Sequence, residues 1–411
     1  MPNKKPLYIA VGVIAAGAVA AGAVVLTGGK NSSSAQPAAP AGVTTSTTAG
    51  ALPTVTTPTA ADSPSSAPTA SSSTASSASP SGDATGAFAS DGTTPLSSFP
   101  SLTKISDALG TSAHVTTTID PRYQNAAASA LAKYQDSAMV VLRADTGEIL
   151  AMASHGAADL AYHAQLAPGS TFKVVTAEDL LRNGVRASTP APCKAHDDEY
   201  DVSNDDTSLT NGHADLGWAF TYSCNTSFTG LLGRLSGSPL DREASTYFGL
   251  NQPWDLGLGP VTYGASGAAN VPEATGGDFA REMFGQGEIT VSPLNMASVA
   301  ATVAAGSFHQ PILVRGTKAS AHAQPLDKTV AATLRTLMRR VVTEGTASSL
   351  RRVSPAVSAK TGTAEPGGNA ANNSWMIAFQ GDIAVACLVE GGGHGDDAAG
   401  PAIAAMLGAV R

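Results

Sequence analysis

The chain has 411 residues, enough for one large domain or two ordinary ones, and only 14% of it is charged. Its formal net charge of −8 argues against a nucleic-acid-binding protein, which would carry a basic face. The 3 cysteines are too few for a disulfide scaffold, and their spacing fits no zinc pattern.

Residues 1–6, MPNKKP, carry two lysines and lead into Leu7–Gly29, a run without a charge. As a helix that run would reach roughly 30 Å, the thickness of a bilayer core. Lys4, Lys5 and the amino terminus precede it, against Lys30 after it, so the N-terminus is expected to be cytoplasmic. Residues 7–29 thus read as a membrane anchor. The alternative is a cleaved signal peptide, because small-x-small triplets such as Ala18-Val19-Ala20 are present. In either case the remainder is exported. Residues 30–96 are rich in Ser, Thr, Ala and Pro, and no Lys or Arg lies between Asn31 and Pro95. Such a segment cannot bury enough apolar surface to offset chain entropy, so it is expected to be a disordered tether.

Past this linker the texture changes, and a folded domain is expected over residues 112–411. AHVTTTID alternates like a strand, and PRYQNAAASALAKYQ reads as a helix with Pro at its start. AMVVLRADTGEILAMAS predicts two strands joined by an Asp-Thr-Gly-Glu turn. A helix from Ser170 to about Arg182 is closed by Asn183-Gly184. Residues 223–236 and 291–305 predict further helices. VSAKTGTAE, NNSWMIAFQ and DIAVACLVE then read as three strands, and GPAIAAMLGAV as a final helix. Two early and three late strands bracket a helical middle. That order predicts an α+β domain with a five-stranded, mostly antiparallel sheet, flanked by helices and split by a helical subdomain.

Ser-x-x-Lys occurs twice, and a chain this rich in Ser is expected to match it by chance. Ser101-Leu102-Thr103-Lys104 has no strand or apolar helix to frame it and reads as a decoy. Ser170-Thr171-Phe172-Lys173 follows Pro168-Gly169, a turn that gives a sharp entry to a helix. Ser170 and Lys173 then share a helix face. Ser170 alone reads as a helix cap or as a nucleophile. Two elements further along bear on the choice. Ser223-Cys224-Asn225 lies where a loop enters a helix, and Lys360-Thr361-Gly362-Thr363 lies in a strand. The order Ser-x-x-Lys, Ser-x-Asn, Lys-Thr-Gly is the signature set of penicillin-recognising serine enzymes.

From about residue 112 onward the chain resembles the transpeptidase domain of bacterial penicillin-binding proteins. The phrases TTIDPRYQNAAASAL, DTGEILAMAS, APGSTFKV, SCNTSF, FGQGEITVSPLNMA and VVTEGTA are similar to recurrent ones in that family. The resemblance implies a D,D-transpeptidase that cross-links peptidoglycan through an acyl-enzyme on Ser170. Its partners would be D-Ala-D-Ala stem peptides, an acceptor amine, β-lactams and a glycosyltransferase, with no metal, cofactor or nucleic acid. Lys173 would take the Ser170 proton once burial and a second cation, Lys360, make it partly neutral. Ser223 would relay that proton to the leaving amine. Asn225 would hold Lys173 and the substrate's peptide carbonyl. Lys360, Thr361 and Thr363 suit a terminal carboxylate, and Gly362 is expected to leave room for substrate. By resemblance the backbone N–H groups of Ser170 and Thr363 form an oxyanion hole. A stem peptide would lie along the edge of the Lys360 strand.

The stretch before Ser170 lacks the Asn-Arg often seen in the family. The chain before residue 112 leaves no room for a glycosyltransferase domain or a non-catalytic pedestal, so a short monofunctional, class B-like form is expected. Hydrolysis, as in a D,D-carboxypeptidase or β-lactamase, is the alternative. The Glu-x-x-x-Asn pair of class A β-lactamases is absent between the second and third motifs. A penicillin sensor would need a larger cytoplasmic part than residues 1–6. Gly285-Gln286-Gly287 reads as a structural turn, and His196, Asp197, Asp198, His213 and His394 as loop residues. Trp375 and Phe379 read as core and Cys387 as a buried thiol. Cys193 and Cys224 either pair and brace the Ser-x-Asn loop or stay free.

Overall fold

Residues 84–156, 159–235, 240–258, 269–368 and 370–411 are described by the structure, a computed structural model. The expected anchor at 7–29 lies outside them, as does most of the linker. Among the described residues no helix is long and apolar enough to cross a membrane.

The fold begins inside the segment expected to be a tether. Strand β1 (Gly86–Phe88) precedes helix α1 (Thr103–Leu109) and pairs in parallel with β2 (His114–Thr116). Ala89, Leu96, Phe99, Leu102 and Ile105 are buried here. The linker boundary at 96 and the domain start at 112 are therefore corrected to about residue 86. Leu96, Phe99, Leu102 and Ile105 recur every three residues, a helical spacing that matches two 3₁₀ turns, Leu96–Ser98 and Pro100–Leu102, and α1. They anchor the segment one side chain at a time.

Helix α2 (Pro121–Leu131) starts on Asp120, whose side chain accepts the Arg122 N–H, with Pro121 in the first turn. Strands β3 (Ser137–Arg143) and β4 (Ile149–His155) form the expected hairpin. A short helix α3 (Leu160–His163) leads to a 3₁₀ turn at Gly169–Phe172 and then α4 (Lys173–Arg182). The middle of the chain adds a small ribbon, β5 (His196–Asp197) with β6 (Val202–Ser203), and four helices. These are α5 (Leu216–Tyr222), α6 (Asn225–Thr229), α7 (Leu240–Phe248) and α8 (Gly276–Glu282). Helix α9 (Pro293–Ala305) opens on a capping box of Ser292 and Asn295. It is apolar nearly all round because it is buried nearly all round.

Helix α10 (Lys328–Thr343) has no counterpart among the sequence expectations. Its buried Val330, Ala331, Leu334, Leu337, Met338, Val341 and Val342 recur at helical spacing. It packs on β7 (Ser358–Ala364) and so backs the strand that carries Lys360. Strands β8 (Asn373–Gln380) and β9 (Ile383–Val389) follow, then α11 (Ala399–Ala409).

The main sheet runs β4-β3-β9-β8-β7, and every neighbouring pair is antiparallel. Strand β9 sits in the middle with every residue buried. Such a strand needs cover on both faces. Helix α9 supplies one layer, and α2 packed with α11 supplies the other. The sheet order leaves β7 at an edge. The α+β expectation holds, early strands and late strands joining along the β3–β9 seam.

Candidate active site

The Ser-x-x-Lys turn is built by close backbone approach. Gly169 has φ +53°, and a Cβ there would collide with the carbonyl of Thr363. Its N–H donates to the Gly285 carbonyl at 2.9 Å, which ties the turn to the Gly285-Gln286-Gly287 loop. Pro168 and Gly169 thus seat Ser170 against β7. Ser170 caps nothing: the 3₁₀ turn and α4 have no side-chain cap. The Ser170 hydroxyl instead meets Lys173, whose Nζ lies 3.0 Å from Oγ.

Lys173 is fully buried. Its Nζ also reaches the Ser223 carbonyl at 2.7 Å, Asn225 Oδ1 at 2.6 Å and Ser223 Oγ at 3.3 Å. The first two are pure acceptors, because Asn225 Nδ2 is committed to the Ser203 carbonyl at 3.0 Å. A neutral amine has two N–H bonds, and these two acceptors use both. Its lone pair is then left for a hydroxyl, and Ser170 Oγ is nearer than Ser223 Oγ. Burial first, and the Lys360 charge second, hold Lys173 well below the usual lysine range; Asp205 opposes them. Phe228 and Phe284 lie over Nζ, with ring centroids 5.2 and 5.8 Å away, and help keep it dry.

Ser223 closes α5 in the left-handed region, φ +64°. That turn lets both its carbonyl and its hydroxyl face Lys173. Lys360 Nζ donates to Ser223 Oγ at 2.8 Å and to the Thr361 carbonyl at 3.0 Å. Burial pushes Lys360 down to about 7. A chain of short contacts therefore runs Ser170, Lys173, Ser223, Lys360. It opens on a cleft of about 740 Å³ lined by Ser170, Ser223, Asn225, Thr361, Gly362 and Thr363, among others.

A family model, the penicillin-binding protein transpeptidase domain, matches residues 137–408. The chain belongs to this family. A peptidoglycan D,D-transpeptidase PbpA from Mycolicibacterium smegmatis is 30% identical over 360 residues, covering 72% of this chain and 71% of the relative. The solved structure of penicillin-binding protein A from Mycobacterium tuberculosis, as a ceftriaxone acyl-enzyme, is similar at TM-score 0.64 and 26% identity. That match covers 72% of this chain and 79% of the other. The D,D-transpeptidase domain of a peptidoglycan glycosyltransferase from Eggerthella lenta gives TM-score 0.62 and 25% identity, covering 77% and 86%.

Within this penicillin-binding transpeptidase domain one expectation changes. Gly362 is not required by room for substrate. A Cβ there would lie 2.7 Å from the Pro168 carbonyl oxygen and 2.9 Å from Thr171 Cγ2, so the glycine lets β7 press on the Ser170 turn. The Thr361 hydroxyl lies 2.5 Å from Thr346 Oγ1. Thr363 Oγ1 lies 3.5 Å from His394 Nδ1.

Ser101 is indeed unrelated to the cleft. It sits in a 3₁₀ turn that runs into α1, a polar helix whose one buried residue is Ile105. Its hydroxyl donates to the Met152 carbonyl at 3.1 Å, and Lys104 pairs with Asp159 on the surface. Cys193 and Cys224 are disulfide-bonded, which fixes the residue between Ser223 and Asn225 to a distant loop. Cys387, Trp375 and Phe379 are buried, as expected. The Gly285-Gln286-Gly287 turn does more than expected, since Gln286 and Gly287 line the cleft. Sequence reasoning missed His394, Asp205 and Thr346, which line it too.

Proposed function

We propose that the chain is a serine-type peptidoglycan D,D-transpeptidase, and that Ser170 carries the acyl group. The observation that carries this is the buried amine of Lys173, saturated by two acceptors so that its lone pair is left for the Ser170 hydroxyl. The D,D-transpeptidase names of the relatives support the reaction class.

In this reading Lys173 takes the Ser170 proton as Oγ attacks the penultimate D-Ala carbonyl. The Oγ–C bond forms, and the oxyanion is met by the Ser170 and Thr363 N–H groups. The C–N bond to the terminal D-Ala then breaks, and the proton passes from Lys173 through Ser223 to the departing amine. Lys360, donating to Ser223, keeps that relay oriented. The donor peptide adds to the free edge of β7 as an extra strand, its carboxylate beside Thr363. An acceptor amine reverses the sequence and restores Ser170. β-Lactams acylate the same oxygen and stay attached.

Residues 1–6 are proposed to be cytoplasmic, 7–29 to span the membrane and the following segment to tether the catalytic domain outside the cell. The Cys193–Cys224 disulfide supports an oxidising, extracytoplasmic location. A glycosyltransferase that polymerises the glycan strands is the proposed partner. The test supplies the full chain with a donor stem peptide and an amine acceptor, and follows products by mass spectrometry. A D-Ala-releasing cross-link that needs Ser170 is expected. Release of D-Ala without cross-link would make the chain a carboxypeptidase instead.

A further inference from the structure

Among the described residues His394 is the one imidazole lining the catalytic cleft, and it is held there firmly. Its N–H donates to Asp397 Oδ2 at 2.8 Å, and its carbonyl accepts from Ser374 Oγ at 2.7 Å. A Cβ on the next residue, Gly395, would lie 2.9 Å from both the backbone N and O of Gly362. The His394 loop is therefore pressed onto the Lys-Thr-Gly strand itself.

The ring joins the two walls of the cleft. Nδ1 lies 2.9 Å from Asp205 Oδ2 and 3.5 Å from Thr363 Oγ1. Asp205 belongs to the opposite wall. Its neighbour Asn204 is buried and accepts the Asn225 N–H at 2.9 Å, so this wall is tied to the Ser-x-Asn motif. A carboxylate acceptor on Nδ1 requires a proton there, so Nε2 can donate to a second carboxylate only in the imidazolium, with a proton on each nitrogen. Nε2 has no protein partner among the described residues.

The charge balance at this end of the cleft matters. A donor peptide ends in a carboxylate that the reading above sets beside Thr363. Lys360 is buried and already donates to Ser223 and the Thr361 carbonyl. Asp205 alone would repel an incoming carboxylate. His394 stands between Asp205 and Thr363, and 60% of its side chain is exposed. Asp396 is occupied by Ser348 and Ser349 and does not compete for the ring. Arg281, another cation lining the cleft, sits on α8 and lies 3.8 Å from Asp278.

The geometry points to His394, held as the imidazolium by Asp205, as a specificity-determining residue whose Nε2–H donates to the donor's terminal carboxylate beside the Thr363 hydroxyl. This rests on the transpeptidase reading above. The same position would take the carboxylate of a β-lactam.

The test compares benzylpenicillin with its methyl ester on the full chain, reading the rate of Ser170 acylation by intact mass. His394→Ala is expected to lower the acid-to-ester rate ratio about tenfold or more, with the ester rate within about twofold of wild type. Asp205→Asn disturbs the same contact from the other wall and is expected to lower the ratio about threefold. It serves where His394→Ala melts early. An unchanged ratio in both variants overturns the inference, as does an equal fall in acid and ester rates. A ratio that responds to Arg281→Ala and not to His394→Ala also overturns it. If wild type forms no Ser170 adduct with either compound, the transpeptidase reading fails instead.

Discussion

The proposed role of Lys173 requires an amine that is buried and still accepts a proton. Its environment meets both needs, since the Ser223 carbonyl and Asn225 Oδ1 satisfy two N–H bonds and no carboxylate pairs with it among the described residues. Lys173→Arg is expected to slow β-lactam acylation by about 10³-fold while leaving the fold intact, because a guanidinium does not deprotonate. Acylation in wild type is expected to fall as pH drops through the depressed Lys173 value. Removing the neighbouring charge with Lys360→Met favours the protonated form of Lys173, so that limb should move to higher pH. A pH–rate profile of both proteins checks the direction. The Ser-x-x-Lys, Ser-x-Asn and Lys-Thr-Gly residues were legible because each motif is short and local. His394 was not. A histidine in a Gly-rich loop has no period, and its partners are 189 and 31 residues away in sequence.

At the scale of elements, the Ser170 turn and β7 are held together by close contact at Gly169 and Gly362. Gly362→Ala should push the Pro168–Thr171 turn off β7. A loss of about 1–3 kcal/mol in stability is expected from the overpacking, together with slower acylation. Thermal melts and acylation rates on one preparation read both. The Cys193–Cys224 bond closes a loop with a sequence separation of 31 residues. Replacing both cysteines by Ala should cost about 2–4 kcal/mol. Helix α10 could have been found from its spacing of apolar residues. The segment near Leu96 also carried a signal, since Leu96, Phe99, Leu102 and Ile105 recur every three residues, but its Ser/Thr-rich composition masked it.

For the whole molecule, the α+β class and the five-stranded antiparallel sheet followed from reading two early strands and three late ones around a helical middle, while the order β4-β3-β9-β8-β7 did not. What the sequence could not supply was which helix covers which face, since that depends on contacts far apart in the chain. The folded state also holds buried carboxyls outside the catalytic chain. Burial raises Glu282 to about 8 and Glu178 to about 7. Both bind protons more tightly when folded than when unfolded. Their contribution is complete below about pH 4.5 and is lost as pH rises toward 8. Melting temperature should therefore decline less between pH 5 and 8 in Glu282→Gln than in wild type.

The central claim is that Ser170, and not the matching Ser101, carries the acyl group. Intact mass of the full chain after exposure to benzylpenicillin tests it directly. One persistent adduct is expected in wild type and in Ser101→Ala, mapping to Ser170, and none in a folded Ser170→Ala. An adduct that survives in Ser170→Ala, or none in wild type, would contradict the account.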